Sequence, residues 1–439
     1  MLRNGRARTR WTAFAAVAVA TAALLTGAHA AGAAPVPTAP DPVATHRVEY
    51  FEGPAAEPRH KEVPERAPAR IARRGTPVAA APVTPLQETG PVSGRLDLVV
   101  MGDGYTADQQ ADFRADARAT LDAVFAIEPY ASYRGLFNVW LVDTASAESG
   151  ISGDPTADVV RNTALSSFFF CEDTERLLCV DIAKVTAYAN QAPASDIVFV
   201  VANSTKYGGA GYSFSTPPTG ATYHGIATMS SDNAQSYLIG AHELGHSIGL
   251  LADEYQYAGY GAYPYRSSAS ANISVTADLG THKWYRWLGE PDPTGSPTAT
   301  YEGGDYYETG VYRPTVTSLM RTLASTEFNL VGREAMIRGF YAHADAATST
   351  VPSGTRIKAT QALDVRLAPV GGLADLRLTW SVDGKQIAWA TGLLSVTPAE
   401  LGAVRSGQRV TATVTDTTSA VRDPEVRAET VNSLFWRVR

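Results

Sequence analysis

Two histidines four residues apart, with a glutamate directly after the first, stand in the run His242-Glu243-Leu244-Gly245-His246-Ser247-Ile248-Gly249. On a helix this spacing projects both imidazoles from one face, close enough to bind one metal ion. It leaves the carboxylate beside them to handle a proton on a water. That is the chemistry of a zinc hydrolase. Tyr237, Leu238, Ala241, Leu244, Ile248 and Leu251 make the same helix amphipathic. His242 and His246 fall opposite Leu244 and Leu251, so one helix can pack in a core and still offer a ligand pair.

Hydrolytic zinc centres use three protein ligands and keep one position open. Gly249 is expected to end the helix in a left-handed conformation and turn the chain back across the metal. The third donor expected after that reversal is Asp253, a carboxylate on a short stem with few rotamers to freeze. Glu254 is the neighbouring alternative, with His224 and His282 as distant ones. A solvated acidic turn is the reading without chemistry. Side chains alternate along an extended segment, so Asp253 and Glu254 are expected to point to opposite sides.

Further segments carry a resemblance. They are Asp97-Leu98-Val99-Val100-Met101-Gly102-Asp103-Gly104-Tyr105-Thr106, Asn203-Ser204-Thr205-Lys206-Tyr207-Gly208-Gly209-Ala210-Gly211, the zinc segment with its Ala252-Asp253-Glu254-Tyr255 tail, and Ser318-Leu319-Met320-Arg321. From about Glu88 to the C-terminus the chain resembles the secreted metallopeptidases of the IgA-peptidase family, a metzincin-like group. The resemblance implies a zinc endopeptidase with one Zn2+ per chain, held by His242, His246 and the Asp253 position. It also implies Glu243 as general base and Met320 in a methionine turn beneath the metal. Metzincins carry a third histidine at the position that is Ala252 here, and there the chain departs from the pattern. The resemblance does not carry immunoglobulin A over as substrate. Metzincin-like enzymes hold the substrate extended against an edge strand before the zinc helix, and Gly208 and Gly209 are the candidates for that contact. An ordinary glycine-rich loop is the alternative for them. Tyr255 and Arg321 are candidate oxyanion donors, Arg321 being equally suited to a structural ion pair.

The elements that must position these residues read as α/β. Leu96–Met101 is a short apolar run ending at Gly102-Asp103-Gly104. Thr106 and Gln109 form a capping box for a helix with Phe113, Ala117, Leu121 and Val124 on one face. Phe137–Val142 and Ile197–Ala202 are further strands. Gly102-Asp103-Gly104 lacks the lysine of a phosphate cradle and reads as a tight turn, with Asp103 organising the domain or binding calcium. Residues 258–314 are an excursion between the third ligand and Met320. Their cluster His282-Lys283-Trp284-Tyr285-Arg286-Trp287 reads as local packing or as a contact for a polymer. Leu330–Tyr341 is the closing helix of a catalytic domain expected over 88–348.

Beyond Ser349–Gly354 the texture changes. Leu376, Leu378, Trp380 and Val382 alternate with polar residues and run into Asp383-Gly384, a hairpin signal, and Val410, Ala412 and Val414 alternate likewise. A small immunoglobulin-like β-sandwich is expected over 355–439. The fold class is therefore an α/β, or α+β, metzincin-like domain followed by that sandwich.

The arginine-rich start, the apolar run Trp11–Leu25 and Ala28-His29-Ala30 make residues 1–30 a signal peptide, so the chain is expected to be secreted. Alanine, glycine and proline dominate 31–85, and residues 31–87 read as a disordered lead-in or short propeptide, with Arg73-Arg74 a candidate processing site. Cys171 and Cys179 are the two cysteines and are expected to pair after export. A net charge of −7 without a basic run after the leader argues against nucleic acid or anionic membrane as a partner. The expected partner is a polypeptide substrate, and the expected state is a monomer, free of the membrane once the signal is cleaved. Two other functions fit parts of the pattern: a zinc amidase acting on cell-wall or other non-protein amides, and a non-catalytic secreted protein that binds carbohydrate or a surface. Glu243 speaks against the latter, which has no use for a carboxylate beside two metal-binding imidazoles.

Overall fold

A strand that is apolar on both sides must be covered on both faces, and Leu98, Val99, Val100 and Met101 are all buried. They sit at the centre of a mixed sheet. The computed structural model describes residues 44–71 and 78–439, so the signal peptide and Arg73-Arg74 lie outside the described residues. In chain order the strands of this sheet are β1 (Thr45–Tyr50), β2 (Arg59–Pro64), β3 (Val83–Gln87), β4 (Leu96–Asp103), β5 (Phe137–Val142), β6 (Ile197–Ala202), β7 (Gly209–Ser213) and β8 (Gly225–Ser230). Their spatial order is β2-β1-β7-β8-β6-β4-β5-β3. β5, β4, β6 and β8 run parallel, while β3 at one border and β7, β1 and β2 at the other pair antiparallel with their neighbours.

The helices are α1 (Gln110–Val124), α2 (Tyr130–Tyr133), α3 (Ile182–Ala189), α4 (Tyr237–Gly249), α5 (Leu330–His343) and α6 (Pro424–Glu429). Alternation along β4 builds the layers. Leu98 and Val100 join Phe113 and Leu121 of α1 and Leu238 and Leu244 of α4 in one cluster, whereas Val99 and Met101 join Ile182 and Val185 of α3 in the other. The capping box forms ahead of α1, where Gln109 Oε1 accepts the Thr106 backbone N–H at 3.1 Å. Where β4 ends, the Asp103 carboxylate accepts Thr163 Oγ1 and the backbone N–H groups of Leu165 and Ser167 at 2.8, 2.9 and 2.8 Å. Those donors engage both oxygens, so Asp103 organises the loop after β5. The two cysteines are joined as Cys171–Cys179.

The described part of 31–87 is not a disordered lead-in. β1 and β2 extend the sheet beyond β7, and β3 closes its opposite border. Val48, Phe51 and Val63 are fully buried. The local signal is weak, because strands this short gain their stability from non-local partners and not from composition.

Within the excursion 258–314, β9 (Tyr301–Gly304) and β10 (Tyr307–Arg313) form a two-stranded sheet. The aromatic-basic cluster is packing: Trp287 Nε1 donates to Glu334 of α5 at 2.6 Å, Arg286 pairs with Asp423 at 3.1 Å, and the Arg422 guanidinium lies over the Trp287 ring.

After α5 come β11 (Ala347–Ser349), β12 (Arg356–Ile357), β13 (Leu363–Leu367), β14 (Leu376–Val382), β15 (Lys385–Gln386), β16 (Ser395–Val396), β17 (Arg409–Asp416) and β18 (Val431–Val438). They form two sheets, β11-β13-β16 and β12-β18-β17-β14-β15. Leu378 and Trp380 of β14 and Val410, Ala412 and Val414 of β17 are buried, as their alternation requires. Asp383 and Gly384, at φ 49° and 84°, make the tight turn from β14 to β15. The core runs unbroken across the expected boundary near 349–354, and Thr45–Arg439 is one compact unit. Tyr133 of α2 and Tyr341 of α5 both donate to Asp416 Oδ2 of β17, at 2.6 and 2.9 Å. Among the described residues no helix is long and apolar enough to cross a membrane.

Candidate metal centre

α4 presents the histidine pair, and its C-terminus sets the turn beyond it. Gly249 stays helical, and the left-handed residue is Leu250, at φ 51°. The sequence expectation assigned that conformation to Gly249. Its missing side chain serves packing instead, since a Cβ there would lie 2.6 Å from Met336 Sδ of α5. The chain reverses all the same, and Leu251 O comes back to accept His246 Nδ1 at 2.7 Å.

His242 Nδ1 is held in the same way, donating to Leu319 O at 2.9 Å. With a proton on each Nδ1, both Nε2 atoms face inward, 3.0 Å apart. Asp253 Oδ1 lies 3.3 Å from each Nε2 and is buried. A fourth group faces the same point: Glu49 Oε2, also 3.3 Å from each Nε2. The four ligating atoms lie within 4.8 Å of one another. Burial opposes charge on all of them, yet the carboxylates and imidazoles hold one another ionised. Glu49 and the hydrogen bonds to Asp253 and Glu49 outweigh burial at His242 and push it up to about 10. The histidines outweigh burial at Asp253, which falls well below the usual carboxylate range. Two buried carboxylates here require positive charge, and a divalent cation between two imidazole lone pairs supplies it. The residues fit a metal ion.

Glu254 faces the other way. Its carboxylate accepts Ser318 Oγ at 2.6 Å, Asn272 Nδ2 at 3.0 Å and Asn329 Nδ2 at 2.9 Å. It thereby ties the segment after α4 to the residues before Met320 and to the N-cap of α5. His224 and His282 are elsewhere, bonded to Phe214 O and to the Trp284 backbone N–H.

Glu243 is buried beside the pair, and its Oε1 has no hydrogen-bond partner. Burial and the Glu49 carboxylate push it up to about 8. Gly211 of β7 makes room for it, for a Cβ there would come 1.8 Å from the Glu243 carboxyl carbon. A cleft of about 320 Å³ opens over the centre, its walls including Arg47, Glu49, Gly211, Ser213, Glu243 and Tyr306. Gly208 and Gly209, the sequence candidates for substrate contact, are not in that wall. They pack against the carbonyls of Arg176 and Thr228, and the cleft takes Gly211 and Ser213 of the same segment instead. Tyr255 OH donates to Glu49 Oε1 at 2.9 Å, and Tyr306 OH to Asp253 Oδ2 at 2.7 Å. Arg321 Nη1 donates to Glu254 O at 3.0 Å.

Glu49 and Tyr306 have no motif to announce them. The only trace of Glu49 in the sequence is the alternation of Arg47 and Glu49 with Val48 and Tyr50, and Tyr306 is one tyrosine among many in its stretch.

Met320 is buried beneath α4, close enough that a Cβ at Gly245 would meet its Sδ at 2.5 Å. Met320 O accepts the Glu254 backbone N–H at 2.8 Å. The sulfur packs against α4, and Met320 is buried in the core it shares with Leu244 and Phe328. Met320→Leu is therefore expected to lower stability by under about 1.5 kcal/mol while leaving metal content unchanged. Thermal melting and metal analysis check this, and loss of the metal from a folded variant would contradict the packing role.

No curated protein matches the chain. The model of the IgA Peptidase M64 family matches residues 84–299 and 290–340, a span that takes in α4, Asp253, Glu254 and Met320. Extending over more than half of the sequence, it shows that the chain belongs to the IgA Peptidase M64 family, whose members are metallopeptidases.

Proposed function

We propose that this chain is a secreted zinc-dependent endopeptidase in which Glu243 acts as general base. The observation that carries the reading is Glu243 Oε1, buried and without a hydrogen-bond partner beside two inward-facing imidazoles. Ligands about 2.0–2.1 Å from a tetrahedral zinc lie about 3.3 Å from one another. The carboxylate–imidazole distances of 3.3 Å support that ion, with His242, His246 and Asp253 as its ligands. Zinc in that place is a Lewis acid that acidifies water and polarises a peptide carbonyl. Glu243 accepts the proton of the attacking water at Oε1 and delivers it to the leaving amine. Tyr255 OH, directed into the centre, donates to the developing oxyanion. β7 would hold the peptide extended by main-chain hydrogen bonds on the border where β1 pairs with it.

The same reading takes 88–348 as a metzincin-like catalytic domain and 355–439 as an immunoglobulin-like sandwich bracing it, in a monomeric enzyme. The disulfide, together with the leader-like start of the sequence, supports secretion.

The test is metal analysis followed by casein cleavage and muropeptide release, side by side, on the chain and on a Glu49→Ala variant with one donor fewer at the centre. About one zinc per chain and chelator-sensitive casein cleavage are expected. Muropeptide release without casein cleavage would make the protein an amidase. Zinc absent from both proteins would overturn the reading.

A further inference from the structure

A catalytic zinc keeps one position open for water or substrate, whereas a centre closed by four protein groups is structural. Here four protein groups converge, and the fourth is Glu49. It comes from β1, ahead of the span that the peptidase family model matches, which begins at residue 84. The other three donors lie inside the matched span.

The strand that carries Glu49 lies in a telling place. β1 pairs antiparallel with β7, with Val48 opposite Tyr212 and Glu49 opposite Gly211. Gly211 is the residue that leaves room for Glu243. In the absence of β1 and β2, β7 would be the border of the sheet, with the free main-chain groups that an extended peptide needs. β1 thus runs where such a peptide would run, and it crosses the metal centre with a carboxylate. The two oxygens of that carboxylate divide between the histidine pair and Tyr255, the candidate oxyanion donor. Oε2 faces the histidine pair at 3.3 Å, and Oε1 accepts from Tyr255 OH at 2.9 Å. Phe51, two residues on, is fully buried and edge-on to the His242 ring at 5.2 Å.

We propose that the N-terminal strand pair is a built-in inhibitor of the peptidase, with β1 on the substrate track of β7 and Glu49 closing the fourth position of the metal. The inference rests on the function proposed above and adds its regulation: Glu49 anchors β1 on β7 at the metal centre, and the chain is held at low activity until that anchor is released. Intramolecular attachment makes such a block effective without strong contacts, since a tethered segment competes at an effective concentration of order millimolar. It also names the track that substrate uses, antiparallel to β7 past Gly211.

The experiment compares the full chain with Glu49→Ala and with Glu49→Gln, which keeps the shape of the side chain. Metal per chain, binding of acetohydroxamate by calorimetry and hydrolysis of quenched fluorescent casein are measured on each, with circular dichroism melting to establish folding. Expected results are about one metal in all three, hydroxamate binding at least about tenfold tighter in Glu49→Ala than in the parent, and casein hydrolysis raised by a similar factor. Glu49→Gln is expected between the two. Equal hydroxamate affinity in folded, metal-loaded parent and Glu49→Ala chains would overturn the inference. So would a folded Glu49→Ala that has lost its metal, which would make Glu49 a required ligand. Tighter hydroxamate binding without amide hydrolysis would uphold the closed centre and remove the peptidase reading instead.

Discussion

Glu243→Gln is expected to keep the metal and the fold and to lose about 10²- to 10⁴-fold in kcat, the usual range for removing a general base. The amide has nearly the volume of the acid, so the gap left by Gly211 accommodates it and α4 need not move. It cannot take up a proton at neutral pH. Glu243 Oε1 has no hydrogen-bond partner in the resting protein, so the substitution breaks no contact that a structural role would need. The comparison belongs in the Glu49→Ala background, where substrate has access, with the metal content of each protein measured alongside. Near-parent kcat in that background would remove Glu243 from the chemistry.

Asp253→Ala and Glu254→Ala are expected to diverge sharply although the residues are neighbours. Asp253 lies 3.3 Å from both Nε2 atoms, and its loss should weaken metal binding by at least about 100-fold, more than the loss of a group that merely orients a ligand. The two imidazoles and Glu49 remain, so the loss is read in the Glu49→Ala background, where two donors from one helix do not hold zinc. Glu254→Ala should keep the ion and damage the fold. Its carboxylate satisfies Ser318, Asn272 and Asn329 in a fully buried place, and stranding those donors costs about 3 kcal/mol. Zinc titration with melting of both variants distinguishes the roles. Release of zinc by Glu254→Ala with retention by Asp253→Ala would reverse them.

The histidine pair and Glu243 are legible in the sequence because their relation is local, one turn of one helix. β5 and β6 are legible because a short apolar run between turn residues has few other uses. Asp253 and Glu254 are separable on alternation alone, and the structure turns them to opposite sides. Local reasoning fails where a residue answers to something distant. Gly249 looks like a helix stop, yet it is small because Met336 of α5 lies against it, a neighbour that no spacing rule reveals. Glu49 is 193 residues from His242, in a stretch whose composition reads as unstructured. Gly208 precedes β7, and Gly209 shares a face with Gly211 but lies two residues short of the cleft, a position along the strand that no local pattern specifies.

Asp416 bears on how freely the parts of this chain can be exchanged. Its buried carboxylate accepts Tyr133 and Tyr341 from the catalytic side and the backbone N–H groups of Asp375 and Thr418 from its own. Tyr341 lies on α5, the helix against which the end of α4 rests. A change of partner at β17 would therefore be felt one helix away from the histidines. The strand-rich end is less an attached module than a keystone. Grafting another β-domain onto the rest of the chain would have to reproduce one acidic side chain at one depth.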